Sequence, residues 1–247
     1  MSYFYNFPQT FYRFGTEKNP TVVQNLAAYV QVIDEVRDNV AFYTKYNILD
    51  GDRPDQVSKK IYGTADYYFT FFMLNDNIRE QGWPLSQREI DKKVKKDRNL
   101  FTVTTRDPLS EVLQPGQVIE GLASGATATI IRRRLDFGQL IVQLQTNAVG
   151  NTPKFSNSEI IRSDNGSGFD TATLVGAQPE WQSVHHYVDG NNEYADIDPA
   201  AAPGAQLVPV TYQEEYKNVN DDLRAIRVIR PDAIISVYRA FQEAMQA

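Results

Sequence analysis

Apolar positions in the first third of the chain alternate between helical and strand-like spacing. Six apolar residues after Pro20 recur at steps of three and four, which predicts an amphipathic helix ending near residue 39: Val22, Leu26, Tyr29, Val30, Ile33 and Val36. Residues 40–49 alternate and are rich in β-branched and aromatic side chains, so they predict a strand. A turn at 50–54 then places Pro54 at the start of a short helix that Gly63 ends.

Two further helices are predicted before residue 105. Residues 65–74 are apolar on nearly every side, which is typical of a helix that is buried all round. A polar loop and Trp83-Pro84 follow. Ser86 and Glu89 then stand three residues apart, as in the capping box that begins a helix, and this helix is expected to extend to about Asp97.

Residues 106–178 have the spacing of an all-β module. Short strand-like runs alternate with glycine-containing turns, which is typical of a small barrel or sandwich. These runs are 117–120, 126–132, 139–145, 159–162 and 171–175. Because helical and aromatic patterns resume beyond this segment, we interpret it as a module inserted into a host domain.

The chain after the module is predicted to complete the host domain, over residues 179–247. A hairpin is expected within 181–194, a proline-rich linker at 198–209, a strand within 223–229 and a last amphipathic helix after Pro231. Helices and strands are thus mixed along the host segments, and the expected fold class is α+β.

The first twenty residues are predicted to form an aromatic N-terminal arm, ahead of host residues 21–105. Seven of the first fourteen residues are aromatic, with neither a helical nor a strand period: Tyr3, Phe4, Tyr5, Phe7, Phe11, Tyr12 and Phe14. A free tail with this much apolar area would promote aggregation. The arm is therefore expected either to pack on its own domain or to dock on a partner, and the pattern leaves both open.

Composition narrows the chemistry that the chain can perform. It contains 13 Phe, 14 Tyr and 2 Trp but only 2 His and no Cys, which excludes cysteine catalysis, disulfides and thiolate metal sites. A net charge of -6 disfavours a nucleic-acid partner. The sequence has no apolar run of about 18 residues and no secretory-signal pattern, so no membrane association is expected.

Candidate catalytic or ligand-binding groups are sparse. His185 and His186 are adjacent in a predicted strand, so their side chains are expected on opposite faces, where they cannot easily share one metal ion or substrate, and both are expected to be structural. Asp164–Asp170 lacks the ligand spacing of an EF-hand. Arg132–Arg134 is expected at a strand edge or interface rather than at a phosphate site. With no phosphate-binding loop or nucleophile motif, the sequence predicts no catalytic residue, no metal site and no cofactor.

One segment resembles a known family. Residues 46–63 resemble the opening of a LysM module, with a short strand, a Gly-Asp turn and a helix ending in Tyr-Gly. The continuation through Trp83 is similar to the small baseplate wedge subunit of T-even-type contractile-tailed phages, the product of gene fifty-three. The residues that carry the match are Tyr46, Gly51, Asp52, Pro54, Ile61, Tyr62, Gly63, Asn75, Asn77 and Trp83. The likeness covers roughly 1–105 and 180–247 but not the β module.

The resemblance implies a LysM-like host domain in a virion protein without catalytic activity. Such a subunit would link neighbouring wedge copies into a six-fold ring around the hub and tail tube. Its partners would be other wedge proteins and the sheath-initiating subunit, with the arm as the partner-binding segment. It would be assembled in the host cytoplasm and lie in the tail baseplate. The alternative is a LysM-type module that binds peptidoglycan glycans in a cell-wall-acting protein, although no clear second LysM strand of the G-x-x-L-x-I kind follows Asn77.

Overall fold

The structure, a computed structural model, describes residues 9–15, 19–24 and 40–246, and these residues contain both helices and sheets. The first elements in chain order are β1 (Gln9–Tyr12), β2 (Thr21–Gln24), β3 (Tyr43–Asn47), α1 (Pro54–Tyr62), α2 (Phe69–Leu74), α3 (Asp76–Gln81) and α4 (Gln87–Asp97). The strands that follow are β4 (Phe101–Thr105), β5 (Val118–Gly121), β6 (Thr127–Arg134), β7 (Gln139–Leu144), β8 (Ile160–Asp164), β9 (Phe169–Pro179), β10 (Val184–Val188), β11 (Tyr194–Ala195) and β12 (Val208–Thr211). The last elements are α5 (Tyr212–Asp222), β13 (Ala225–Ile229) and α6 (Ile234–Gln246). The chain is therefore α+β, as its sequence predicts.

The chain divides into two compact units. Unit 1 combines Met1–Gln87 with Val219–Ala247, and unit 2 is the continuous segment Arg88–Asn218. The predicted module spanned 106–178, so unit 2 is wider and also includes β4 and the strands β10 to β12. Unit 1 is consequently built from two segments that are distant in sequence.

In unit 1, strands from these two segments pair with each other. β3 and β13 are antiparallel, with Tyr43 opposite Ile229 and Asn47 opposite Ala225. The helices α1, α2 and α3 follow β3 in the sequence, and their apolar side chains share one core with the two strands. The buried members of this core are Ile48, Val57, Phe71, Ile78, Leu223, Ile226 and Val228. The C-terminal segment thus supplies a large part of the core.

The turn and helix predicted after β3 are confirmed. Pro54 is the first residue of α1, and the preceding Arg53 N–H donates to Gln56 Oε1 at 3.1 Å. Gly63 ends the helix with φ +77°, a left-handed conformation that glycine adopts without steric cost, and its N–H donates to Lys59 O at 3.0 Å.

Three expectations for unit 1 are corrected by the structure. Thr21–Gln24, predicted to begin a helix, is strand β2 and pairs antiparallel with β1, which fits its run of β-branched residues. The remainder of that predicted helix, 25–39, lies outside the described residues. The helix predicted over 65–74 begins only at Phe69, and α3 occupies part of the predicted polar loop, because Asn75 is extended and separates two short helices.

Unit 2 contains a six-stranded closed barrel. Its strand order is β4-β7-β6-β5-β8-β9. Of the two architectures that the sequence left open, the structure therefore has the barrel and not the sandwich. The five predicted strand runs correspond to β5 to β9. β4 was not predicted, yet it closes the barrel by pairing with both β7 and β9. The interior is filled by large apolar side chains, among them Leu113, Ile119, Ile130, Leu140, Ile161 and Leu174.

A second, three-stranded sheet in unit 2 has the order β11-β10-β12. The predicted hairpin is confirmed by the pairing of β10 with β11, in which Tyr187 stands opposite Ala195. β12 begins inside the segment predicted as linker, so the linker prediction is wrong at residues 208–209. α5 follows β12 directly, and its first turn carries Glu214 and Glu215.

Candidate functional site

The residues that carry the LysM-like motif come together in unit 1. Tyr46, Ile61, Tyr62 and Trp83 all pack against the core that β3 and β13 share. The Trp83 Nε1–H donates to Asp52 O at 2.7 Å, which ties the indole to the turn that contains Gly51. These side chains stabilise the unit, because their apolar surfaces pack on its core and the Tyr62 hydroxyl and the Trp83 indole N–H are bonded within it.

Asn75 joins the two sequence segments of unit 1. It is buried, and its Nδ2–H₂ donates to Phe71 O at 2.7 Å and to Arg227 O at 2.8 Å. The Arg227 N–H donates to Asn75 Oδ1 at 2.7 Å. The amide therefore bonds the end of α2 to strand β13. Asn77, two residues further on, lines a shallow polar groove together with Lys45 and Arg227.

The described part of the aromatic arm is exposed. Phe11 is 74% exposed, Tyr12 55% and Phe14 52%, and the rings of Tyr12 and Phe14 meet edge to face at 5.0 Å. Val22 on the paired strand β2 is also exposed, so the small sheet presents apolar groups to solvent. The other predicted arm residues, Tyr3, Phe4, Tyr5 and Phe7, lie outside the described residues.

The three consecutive arginines of β6 bind groups inside unit 2, and the expected position at a strand edge is wrong, while the alternative of an interface role stays a prediction. β6 lies between β5 and β7 and is not an edge strand. Arg132 pairs with Glu180, and Arg133 Nη1–H donates to Val112 O at 2.9 Å. Arg134 donates hydrogen bonds to backbone carbonyl groups of β10. The closure of the barrel, which removes strand edges, is the reason.

Glu180 is the most deeply buried charged side chain among the residues that the structure describes. It is 1% exposed, and its Oε1 pairs with Arg132 and lies 3.4 Å from Arg98 Nη1. A buried carboxylate requires such partners, since its desolvation costs several kcal/mol. The arrangement is structural, because both arginines are already bound to the carboxylate.

The two histidines touch each other, and the expectation that they lie on opposite faces is wrong. His185 Nδ1 and His186 Nδ1 are 2.8 Å apart, and the rings meet edge to face. The strand has a β-bulge here: Val184 stands opposite Thr211 while His186 stands opposite Val210. Two steps along β10 match one along β12, so the alternation of side chains is interrupted.

The bulge is held by side chains of the barrel strands. Arg134 Nη1–H donates to Val184 O at 3.0 Å, and Arg134 Nη2–H donates to His185 O at 2.6 Å. Gln139 Nε2–H also donates to Val184 O, at 3.1 Å. These bonds satisfy carbonyl groups that an irregular strand leaves without ladder partners. The backbone at the histidine pair is thereby fixed.

Aromatic rings and one carboxylate surround the histidine pair. The Tyr212 ring meets His185 edge to face at 4.9 Å between centroids, and Tyr194 stacks on His186 at 5.2 Å. A ligand-type atom of Glu215 lies within 4.8 Å of a ring nitrogen of each histidine. This group of partly buried donors is the candidate ligand site in unit 2.

We expect the stability of unit 2 to fall as the pH decreases below about 6.5. Burial, together with the charges of His186, Arg134 and Arg98, lowers the pKa of His185, and Glu215 only partly opposes this. The unfolded chain therefore binds the proton more readily, so the stabilisation by neutral His185 is complete above the unfolded pKa and is lost below it. Urea unfolding in EDTA-containing buffer between pH 7.5 and 5 measures this. His185→Gln should flatten the profile, whereas exposed Glu111→Gln should leave it unchanged; a wild-type profile without slope would contradict the expectation.

The comparisons with known proteins do not assign a family. No family model matches the chain, and no curated protein matches its sequence. Among the helices of the described residues, none has the length and apolar character needed to cross a membrane.

Proposed function

We propose that the chain is a non-catalytic structural subunit of a contractile phage tail baseplate, a wedge subunit that links neighbouring wedges into the six-fold ring. The observation that carries the proposal is the exposed aromatic surface of the β1–β2 sheet, formed by Phe11, Tyr12 and Phe14. The resemblance of Ile61–Trp83 to the wedge family supports it. On this proposal the protein lies in the virion baseplate after assembly in the host cytoplasm.

The exposed rings have the properties of interface anchors. Aromatic side chains dominate the binding energy of protein interfaces when they enter apolar pockets, because they bury large areas at little entropic cost. Two of the three rings already contact each other, so part of their ordering cost is met before binding. We infer that they dock into a neighbouring wedge protein or the sheath-initiating subunit.

The architecture of unit 1 is consistent with a LysM-like host domain. A LysM module has two antiparallel strands flanking two helices, and β3 and β13 flank α1 and α2 in unit 1 in the same way. β13 would then be the second strand that does not follow Asn77 directly. On this interpretation, unit 2 is a module inserted between the last LysM helix and the second strand.

The test replaces the three arm aromatics by serine in one variant, Phe11→Ser/Tyr12→Ser/Phe14→Ser. We expect the variant to fold with an unchanged circular dichroism spectrum but to be absent from baseplates purified from cells that express the other tail proteins. The reason is that the lost rings supply the apolar contact area. The matched control is Phe169→Ser, which removes an aromatic ring that is 59% exposed on the barrel unit. Normal incorporation of the triple variant would overturn the docking role of the arm.

A glycan-binding module is the second candidate. The groove lined by Lys45, Asn77 and Arg227 offers amide and charged groups that can bond sugar hydroxyls. Co-sedimentation with purified peptidoglycan sacculi distinguishes the two. We expect no retention; retention that Asn77→Ala abolishes would favour the glycan module.

A further inference from the structure

The donors around the bulge are of the types that bind transition-metal ions. Two imidazoles and one carboxylate form a ligand set that proteins use for zinc. The two Nδ1 atoms are 2.8 Å apart, whereas nitrogens bound to tetrahedral zinc at about 2.0–2.1 Å are about 3.3 Å apart. Opening the pair by about half an ångström therefore suffices to admit an ion between the nitrogens, in place of their hydrogen bond.

Glu215 is available for coordination, unlike the carboxylate beside it. Glu214 Oε2 accepts bonds from the Thr211 N–H at 2.7 Å and from the Thr211 hydroxyl at 2.8 Å, so it is committed to the start of α5. No residue in the described part of the chain donates a hydrogen bond to Glu215, although its carboxylate is partly buried near both histidines. A metal ion would supply the partner that this carboxylate lacks.

The surrounding residues orient the ligands and set the charge of the site. Tyr212 and Tyr194 pack against the two rings, and Arg134 fixes the carbonyls of the bulge. The charges of Arg134 and Arg98 act on His185. Arg98 also pairs with Glu180, and its guanidinium lies 4.5 Å from the centre of the Tyr212 ring. The charge of the two arginines favours neutral imidazole, which is the form that coordinates metal, but it also weakens attraction for a cation. We therefore expect micromolar rather than picomolar affinity.

We propose that His185, His186 and Glu215 bind one divalent transition-metal ion in unit 2, and that zinc fits the ligand set best. Three protein ligands leave the fourth tetrahedral position for a water molecule. The site is independent of the arm and of the proposed role in the baseplate. Failure of the metal-site proposal would therefore not contradict the baseplate proposal, and the reverse also holds.

The test is a zinc titration of the full chain, prepared without a histidine tag, dialysed against EDTA to remove metal and then dialysed into buffer free of EDTA. Because the chain has only two histidines and no cysteine, imidazole coordination can arise at this pair alone. We expect isothermal titration calorimetry at pH 7.5 to give one ion per chain, and the ring ¹⁵N resonances of both histidines to shift in parallel with saturation. Magnesium, which prefers oxygen ligands, should cause no ring shift.

Two variants locate the ion. His186→Gln and Glu215→Gln should each weaken zinc binding at least tenfold, while Glu111→Gln, an exposed carboxylate elsewhere in unit 2, should bind as the wild type does. Ring resonances that do not move at millimolar zinc would overturn the proposal, and this result needs no variant. Unchanged affinity in Glu215→Gln would remove the carboxylate from the site and overturn the three-ligand assignment.

Discussion

Replacing Glu180 with alanine should lower the free energy of unfolding of unit 2 by about 3 kcal/mol. The substitution leaves Arg98 and Arg132 facing each other without the carboxylate that both bind, and it empties a fully buried position. The loss stands at the lower end of the range for broken buried pairs, because Arg132 is 45% exposed and can turn to solvent. Hydrogen exchange followed by mass spectrometry, read separately for peptides of 88–218, measures it.

The control for Glu180 is an exposed ion pair in the same unit. Glu120 Oε2 lies 2.8 Å from Arg162 Nη2, with both side chains well exposed. Glu120→Ala should cost less than about 1 kcal/mol, since water screens the pair and solvates the remaining guanidinium. Equal losses in the two variants would show that burial does not determine the strength of the Glu180 contacts.

Replacing Asn75 with alanine should destabilise unit 1 by about 2–4 kcal/mol, since partly buried backbone groups of Arg227 lose their partners. The Arg227 N–H and C=O both bond to this amide, and the methyl group of alanine offers neither a donor nor an acceptor in its place. Urea unfolding followed by tryptophan fluorescence in a Trp181→Phe background reports on unit 1, because the remaining indole, Trp83, packs against Phe71 in the same core.

Asn77→Ala is the matched control for Asn75, because it removes the same side chain two residues later at the rim of the polar groove. It should change the stability by less than about 0.5 kcal/mol. A comparable loss in both variants would contradict the role of Asn75 as the connector between α2 and β13.

Local patterns predicted the elements whose structure depends on neighbouring residues. Pro54 and Gly63 delimit α1, and the glycine-separated runs became barrel strands, because turn chemistry and alternation are read within a few residues. β4 was overlooked although Phe101–Thr105 consists of aromatic and β-branched residues, because the run is only five residues long and follows the predicted helix closely. β2 was mistaken for a helix start because it contributes only Val22 to the helical pattern, and one position does not distinguish the two periods.

The candidate sites also differ in how far local sequence can predict them. The sequence left open whether the arm packs on its own domain or docks on a partner, since aromatic content does not show what covers it; in the structure Phe11 and Tyr12 are exposed, and docking stays a prediction. The histidine cluster could not be predicted: it depends on a one-residue bulge and on Glu215 from α5, brought near by tertiary packing. The pairing of β3 with β13 likewise links residues that no local pattern connects.

The split of unit 1 into two segments has a consequence during translation. Residues 88–218 form a continuous unit, so this part can fold while the ribosome is still elongating the chain. β3 and the helices α1 to α3 must wait until β13 emerges, which at about 5–20 residues per second takes roughly 10 to 30 s. For that interval Phe71 and Trp83 lack the nascent strand that completes their core, and their apolar surface is accessible to ribosome-associated chaperones.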